Sequence, residues 1–456
     1  MGTQPASGVC SADRLSALSD GVLHIILSRL GAQQMAQTSA LSRRWRHLWR
    51  AAPCVSIDHR EFRARPNKPR HDSSYSMQSR NRREVAEWCR LEDAVDRVLM
   101  ASSETLDAFP LRVAHEDYGV AHRWIRRGLE RLPAAFHLRC DAPFNPRCHG
   151  DPYFFYNDED DDDSPCFPDL TMYPGAGAYM CRLRTLSLFG LRLSTDFADT
   201  LVAEEFKALE ELQLEECRYY FSELASRSLT KLSMNRCGMC QDSVGYALHL
   251  ATPRLTSLRI RGKSPPVTMD GEMPSLAEAS LRHPAGELGV LRSLRDATTL
   301  SLVKFSTTEF LDDGEGFSES PVFRNLRTLH LDECDVGVEC QVLRLFLLNA
   351  PKLERLALRY CALVGGSRSK KRKYGSEETF SSHRPGPTAY ECENLKSVEL
   401  RFYEDQDVSE LDDALGDISR EAVLPIESSV RSGRQKNRYI ITTKEQPSVE
   451  GHQQRH

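Results

Sequence analysis

The stretch "LSRRWRHLWRA", Leu41 to Ala51, sets Trp45 and Trp49 among Arg43, Arg44, Arg46 and Arg50. Exposed aromatics beside phosphate-binding charges would let bases stack. The spacing argues otherwise. Leu41, Trp45, Leu48 and Trp49 fall at i, i+4, i+7 and i+8, one stripe of a helix, and the arginines lie largely elsewhere on the wheel. The tryptophans are therefore expected to be covered while the arginines stay wet, and nucleic acid is not the expected partner. "CGMC" at 237–240 has the spacing of half a zinc site or a redox pair, but two further ligands at suitable spacing are missing. Cys148–His149 is equally isolated. The acidic run "NDEDDDD", 157–163, lacks the alternate ligand spacing of a calcium loop and reads as a solvated loop. The basic "RSKKRK", 368–373, has the composition of a nuclear import signal or simply of a solvated run. No phosphate-binding glycine loop, dinucleotide fingerprint, metalloprotease helix or serine-nucleophile elbow occurs, so neither catalytic residues, nor a metal, nor a cofactor is expected.

Composition narrows the class. The chain has 456 residues, 40% hydrophobic and 27% charged, an ordinary globular make-up long enough for two or three domains. A net charge of −5 gives no global field toward DNA or an acidic membrane. No apolar run is long enough for a membrane helix, and "MGTQPASGVC" lacks the pattern of a secretory signal. A nuclear or cytoplasmic location is expected, where the 14 cysteines stay reduced and need another explanation.

That explanation lies in a repeat. Copies of LxxLxL begin at Leu183, Leu209, Leu229, Leu255, Leu276, Ala297, Leu326, Leu353 and Leu395. Their starts lie 20 to 29 residues apart, except for a last step of 42. This is the period of leucine-rich repeats. Four copies extend to a cysteine, at Cys217, Cys237, Cys334 and Cys361, a slot where a small, weakly donating group can turn inward and bond backbone carbonyls. The leucines of each copy should point into the core and the residues between them onto the opposite face. That face is blocked in sign. Glu211 and Glu215 are acidic, Arg259, Arg261 and Arg282 form a basic group, and Arg355, Arg359 and Arg401 a second one near His330. An extended, acidic or phosphorylated protein segment would suit these arginine forks, although a solvated strand face has the same composition.

Upstream, 13–50 reads as a compact helical unit. Val22, Leu23, Ile26, Leu27 and Leu30 make one helical face, with Ser19 or Asp20 placed to cap it. Two tryptophans and so many aliphatics exceed what three short helices can cover. A partner, or docking on the rest of the chain, is implied.

The string "DRLSALSDGVLHIILSRL…AQTSALSRRWRHLWRAAP", 13–53, resembles the plant F-box, and "RLFLLNAPKLERLALRYC" with "NLKSVELRFYEDQDVSELDDAL" resembles the FBD region that follows leucine-rich repeats in many plant F-box proteins. The expected fold is α + α/β: a three-helix F-box, then a leucine-rich-repeat solenoid, a horseshoe of parallel strands with helices or irregular crossovers. The expected divisions are a tail at 1–12, the F-box at 13–55, a linker at 56–83, and an irregular repeat or cap region at 84–180. Repeats follow at 181–362, a flexible basic insertion at 363–391, an FBD-like cap at 392–445 and a tail at 446–456. The resemblance implies a substrate receptor of a Skp–cullin–F-box ubiquitin ligase. Its F-box docks on a Skp-type adaptor, which bridges to a cullin–RING scaffold, and its repeats hold a protein substrate. The adaptor-facing positions it implies are Leu15, Leu18, Ser19, Asp20, Leu23, Ile26 and Leu27, with Leu41, Trp45 and Trp49 bracing or joining the interface. Two departures stand out: Ser19 replaces the family's proline, and Gly31 another frequent one. The competing expectation is a leucine-rich-repeat scaffold whose degenerate F-box works outside any ligase.

Overall fold

A computed structural model describes residues 15, 17–61, 89, 92–102, 105–114, 118–141, 179–202, 206–239, 247–262, 267–269, 273–282, 288–305, 321–335, 341–361, 394–403 and 436–442. The acidic run, "RSKKRK", Cys148–His149, both tails and most of the expected linker and insertion lie outside these residues. The chain divides into two compact units, 1–192 with 203–209, and 193–202 with 210–456.

The first unit opens with α1 (Asp20–Leu27), α2 (Ala32–Gln37) and the short α3 (Trp45–Leu48). Leu23, Leu27, Ala32, Met35, Trp45, Leu48 and Trp49 are their buried apolar side chains. The stripe expected from Leu41 onward holds at Trp45, Leu48 and Trp49, but Leu41 precedes the helix and is exposed. Ser19 occupies the N-cap position at φ −68°, yet its hydroxyl makes no capping bond. That φ is the value proline enforces, so the serine keeps the geometry of the proline it replaces.

The chain then passes directly into a parallel sheet. Strand β1 (Ile57–Asp58) pairs with β2 (Ala108–Ala114), aligning Ile57 with Leu111. Strand β3 (Ala135–Asp141) joins β2, and β4 (Thr185–Phe189) joins β3. A helix over 92–101 precedes β2, and α4 (Tyr118–Leu129) connects β2 to β3. Residues 56–61, expected to begin a linker, are thus ordered structure. A two-residue strand paired 50-odd positions away leaves no local signature, because its hydrogen-bond partner is not its neighbour in sequence.

The second unit carries the repeat. Its parallel strands are β5 (Glu211–Glu215), β6 (Lys231–Asn235), β7 (Ser257–Arg261), β8 (Glu278–Arg282), β9 (Thr299–Val303), β10 (Thr328–Asp332), β11 (Arg355–Arg359) and β12 (Ser397–Tyr403). With β4 of the first unit, each LxxLxL copy has become a strand. Their leucines are buried and most intervening residues are not, as strand alternation requires. An unexpected β13 (Lys436–Thr442) turns back antiparallel on β12. Its "RYIIT" run is β-prone and was the available signal.

Seven of the described turns after strands repeat one device. Glu216, Arg236, Lys304, Glu333 and Tyr360 take positive φ between 52° and 56°, and Gly190 and Gly262 take 70° and 82°. The left-handed residue swings the chain inward, so the next side chain is buried: Cys217, Cys237, Phe305, Cys334 or Cys361. The thiols then serve the expected slot. Cys237 Sγ donates to Leu214 O at 3.4 Å, Cys334 Sγ to Leu302 O at 3.2 Å and Cys361 Sγ to Leu331 O at 3.4 Å. At the other end of the strands, the Thr230, Thr256 and Thr298 hydroxyls donate to Glu210, Thr230 and Ala277 carbonyls of the preceding copy. Gly190 is the tightest turn, since a Cβ there would press on the Cys140 carbonyl oxygen. Gly190→Ala is expected to destabilise the first unit by about 2 kcal/mol, combining a strained φ with that collision. A thermal melt that does not move would remove this reading of the turn.

Candidate functional site: an apolar helix patch and a charged strand face

In the first unit, α1 is apolar on both sides, and its two sides do different work. Leu23 and Leu27 are fully buried. Val22, Ile25 and Ile26 point outward, 42%, 62% and 37% exposed, and Leu15 and Leu41 join them at 52% and 66%. Val22, Ile25 and Ile26 share one side of the helix at i, i+3 and i+4, and large aliphatics this exposed within one small unit have the character of a protein-contact surface. Arg44 fixes the patch's edge. Its guanidinium pairs with Asp20, and its Nη2 donates to Leu18 O at 2.7 Å, tying the start of α1 to the turn before α3.

Of the ten expected adaptor-facing positions, Leu15, Ser19, Asp20, Ile26 and Leu41 are exposed and Leu18 is half-buried. Leu23, Leu27, Trp45 and Trp49 are instead core. Burial is compatible with the bracing role expected of Trp45 and Trp49; α3 and the turn after it pack against α1, and the large side chains are buried there. Val22 and Ile25 are also exposed, though they are not among the ten expected positions. In "VLHIIL" apolar residues occupy nearly every angle of the wheel, so periodicity cannot say which side faces in.

The helices are also held to the first strands. Ala32 N donates to Ser56 O at 2.7 Å, Asp107 N to Pro53 O at 2.7 Å and Val55 N to Ala108 O at 3.3 Å. Glu61 reaches back to accept the Gln33 amide at 3.2 Å, capping α2 from the far side of β1. Gly31 makes room for it, since any Cβ there would overlap the Glu61 carboxylate. The lost family proline at Gly31 is thereby exchanged for a carboxylate cap. Gly31→Ala and Glu61→Ala are each expected to cost about 1 kcal/mol, the usual worth of a cap. Because both remove the same contact, the double variant should cost no more than either one. Additive losses in denaturant melts would contradict the coupling.

In the second unit the register fixes which charges meet. Seven of the nine expected substrate-binding residues lean on neighbours or on burial. Glu211 accepts from Gln213 at 2.7 Å and Glu215 from Asn235 at 3.2 Å. Arg259 makes a two-point contact with Glu278, at 2.8 and 3.0 Å. Arg282 lies 3.9 Å from Glu333, which Lys304 also approaches. Arg359 and Arg401 share Glu399, at 3.0 and 2.5 Å. His330 is half-buried, and burial together with Arg359 and Arg355 pushes it below its ordinary value, so it is neutral at pH 7. Glu399 is held below the usual carboxylate range: the two arginines outweigh the burial that would raise it. Among the described residues, Arg261 and Arg355 have no side-chain partner. The two basic groups stay apart, separated by Thr299, Ser301 and Val303 of β9. The neutralising carboxylates Glu278 and Glu399 were the residues sequence reasoning passed over.

Among the described residues no helix is long and apolar enough to cross a membrane, and no cluster of His, Cys, Asp and Glu could hold a metal ion.

The helical unit with its apolar patch, followed by leucine-lined parallel strands, defines a class, and comparison with known proteins agrees. The F-box domain family matches residues 15–54. The chain is 34% identical over 425 residues to the MEIOTIC F-BOX protein MOF of Oryza sativa subsp. japonica, covering 85% of this chain and 80% of that protein. An F-box/LRR-repeat protein of Arabidopsis thaliana is 28% identical over 395 residues, 76% of each chain. An F-box/FBD/LRR-repeat protein of the same plant is 24% identical over 375 residues, 76% of this chain and 77% of its own. The chain belongs to the plant family of F-box/leucine-rich-repeat proteins.

Proposed function

We propose that this chain is a substrate-recognition subunit of a Skp–cullin–F-box ubiquitin ligase. The carrying observation is the patch of Leu15, Val22, Ile25, Ile26 and Leu41, which lies wholly inside the matched F-box and has nothing of its own to cover it among the described residues. A Skp-type adaptor is the partner proposed for that patch, with Leu18, Ser19 and Asp20 at its rim and Leu23, Leu27, Trp45 and Trp49 bracing it from beneath. Through the adaptor the chain joins a cullin–RING scaffold in the nucleus or cytoplasm. The leucine-rich repeats hold the protein substrate along Glu211, Glu215, Arg259, Arg261, Arg282, His330, Arg355, Arg359 and Arg401. In this role the chain makes and breaks no bonds. Its contribution is proximity: a substrate lysine held near a charged conjugating enzyme experiences a raised effective concentration.

Affinity purification with and without proteasome inhibition tests the proposal. The adaptor should co-purify in both samples, and a substrate mainly in the inhibited one. Absence of the adaptor from both would overturn the ligase assignment in favour of a free repeat scaffold.

A further inference from the structure

The strand face is not uniform, and its C-terminal end is electrostatically incomplete. Register sets Arg359 of β11 opposite Arg401 of β12. Like charges at directly opposed strand positions destabilise a sheet unless an anion lies between them. In the free chain that anion is Glu399. Its single carboxylate serves two guanidiniums, and its 2.5 Å approach to Arg401 is an ion pair without the geometry of a directed hydrogen bond. The Nε donors of Arg359 and Arg401 are shut off from solvent with no acceptor. Arg355, on the same strand face as Arg359, is exposed and unpaired among the described residues. His330, on β10, stands one strand over from Ala357, the residue between the two arginines of β11.

We infer that this corner, Arg355, Arg359 and Arg401 around Glu399, is a binding site for the phosphate group of a phosphorylated serine or threonine in an extended protein segment. The inference rests on the proposal that this face holds the substrate, and names its chemistry. A further carboxylate would add little, since Glu399 already supplies one and leaves donors unanswered. A phosphate brings nearly two negative charges and three acceptor oxygens, enough to engage Arg355 as well as the shared pair. Glu399 acts as an internal stand-in that holds the arginines apart from each other's charge until the phosphate takes over. The other basic group does not qualify: Arg259 is already answered by a two-point contact with Glu278.

The test uses the full chain co-purified with its adaptor and three immobilised degenerate peptide libraries, centred on phosphoserine or phosphothreonine, on the unphosphorylated residue, and on aspartate. Retention should be about tenfold or more higher on the phosphorylated library, the scale of one charge-assisted hydrogen bond or more, and millimolar inorganic phosphate should elute it. Arg359→Ala with Arg401→Ala should abolish the preference. Arg359→Lys with Arg401→Lys keeps the charge but not the fork, and should lose most of it without disturbing the fold. Glu399→Gln should strengthen retention several-fold by removing the competing charge, and Arg254→Ala, at an exposed arginine in a turn outside the strand face, should leave it unchanged. Equal retention on the phosphorylated and unphosphorylated libraries, equal retention on aspartate, or a preference that survives both arginine pairs would overturn the site. Adaptor co-purification is read on the same samples. A lost preference with the adaptor still bound removes only the phosphate site, whereas a missing adaptor removes the ligase reading instead.

Discussion

Ile25→Asp is expected to leave the chain folded and to abolish capture of a Skp-type adaptor. Ile25 is 62% exposed, so the free protein gives up almost no packing when it changes. The cost appears only on docking, when the new carboxylate would have to be stripped of water against an apolar surface with no partner. Burying an unpaired charge costs several kcal/mol. An adaptor affinity reduced by about a hundredfold or more follows at about 1.4 kcal/mol per factor of ten. Leu41→Asp, at 66% exposed, should behave alike. Paired measurements decide it: a thermal melt that stays in place and a co-purified adaptor that disappears. Undiminished capture by both variants would show that the partner sits elsewhere.

Leu23→Asp, two residues earlier on the same helix, should give a different failure. Leu23 is fully buried on the inner side of α1, so an aspartate there is unpaired inside the free protein. Loss of the leucine's packing together with a buried charge puts the penalty at about 4–5 kcal/mol or more, a large part of a domain's whole stability. Trp45→Ala, emptying the junction beneath α1, should cost about 3–5 kcal/mol by cavity formation. Both variants should lose the melting transition of the helical segment and adaptor capture together. If Leu23→Asp instead melted like the unaltered chain while failing to bind, Leu23 would be a direct contact and the inward assignment of that helix face would be wrong.

These two residues show where the sequence is legible and where it is not. The strand ladder could be read in advance because its signal is redundant. Every copy repeats the same leucines, and the cysteine slot at 217, 237, 334 and 361 marks the same turn four times. The inward or outward choice along α1 carries no such redundancy, for Val22, Leu23, Ile25, Ile26 and Leu27 surround the helix and only tertiary packing, that of α3 included, chooses among them. The charged face was legible residue by residue but not pair by pair. Glu278 and Glu399 neutralise arginines 19 and 40 residues away in the chain, and only strand register brings them together. The same holds for β1 and β13, whose strands are defined by distant partners.

Hydrogen exchange on the full chain, with and without a purified Skp-type adaptor, tests the central claim most directly. Amides of 18–27 and 38–46, the segments carrying Val22, Ile25, Ile26 and Leu41, should slow on adding the adaptor, while the strands from Glu211 to Arg359 exchange as before. Unchanged exchange in those helical segments, or protection that falls on the strands instead, would contradict it.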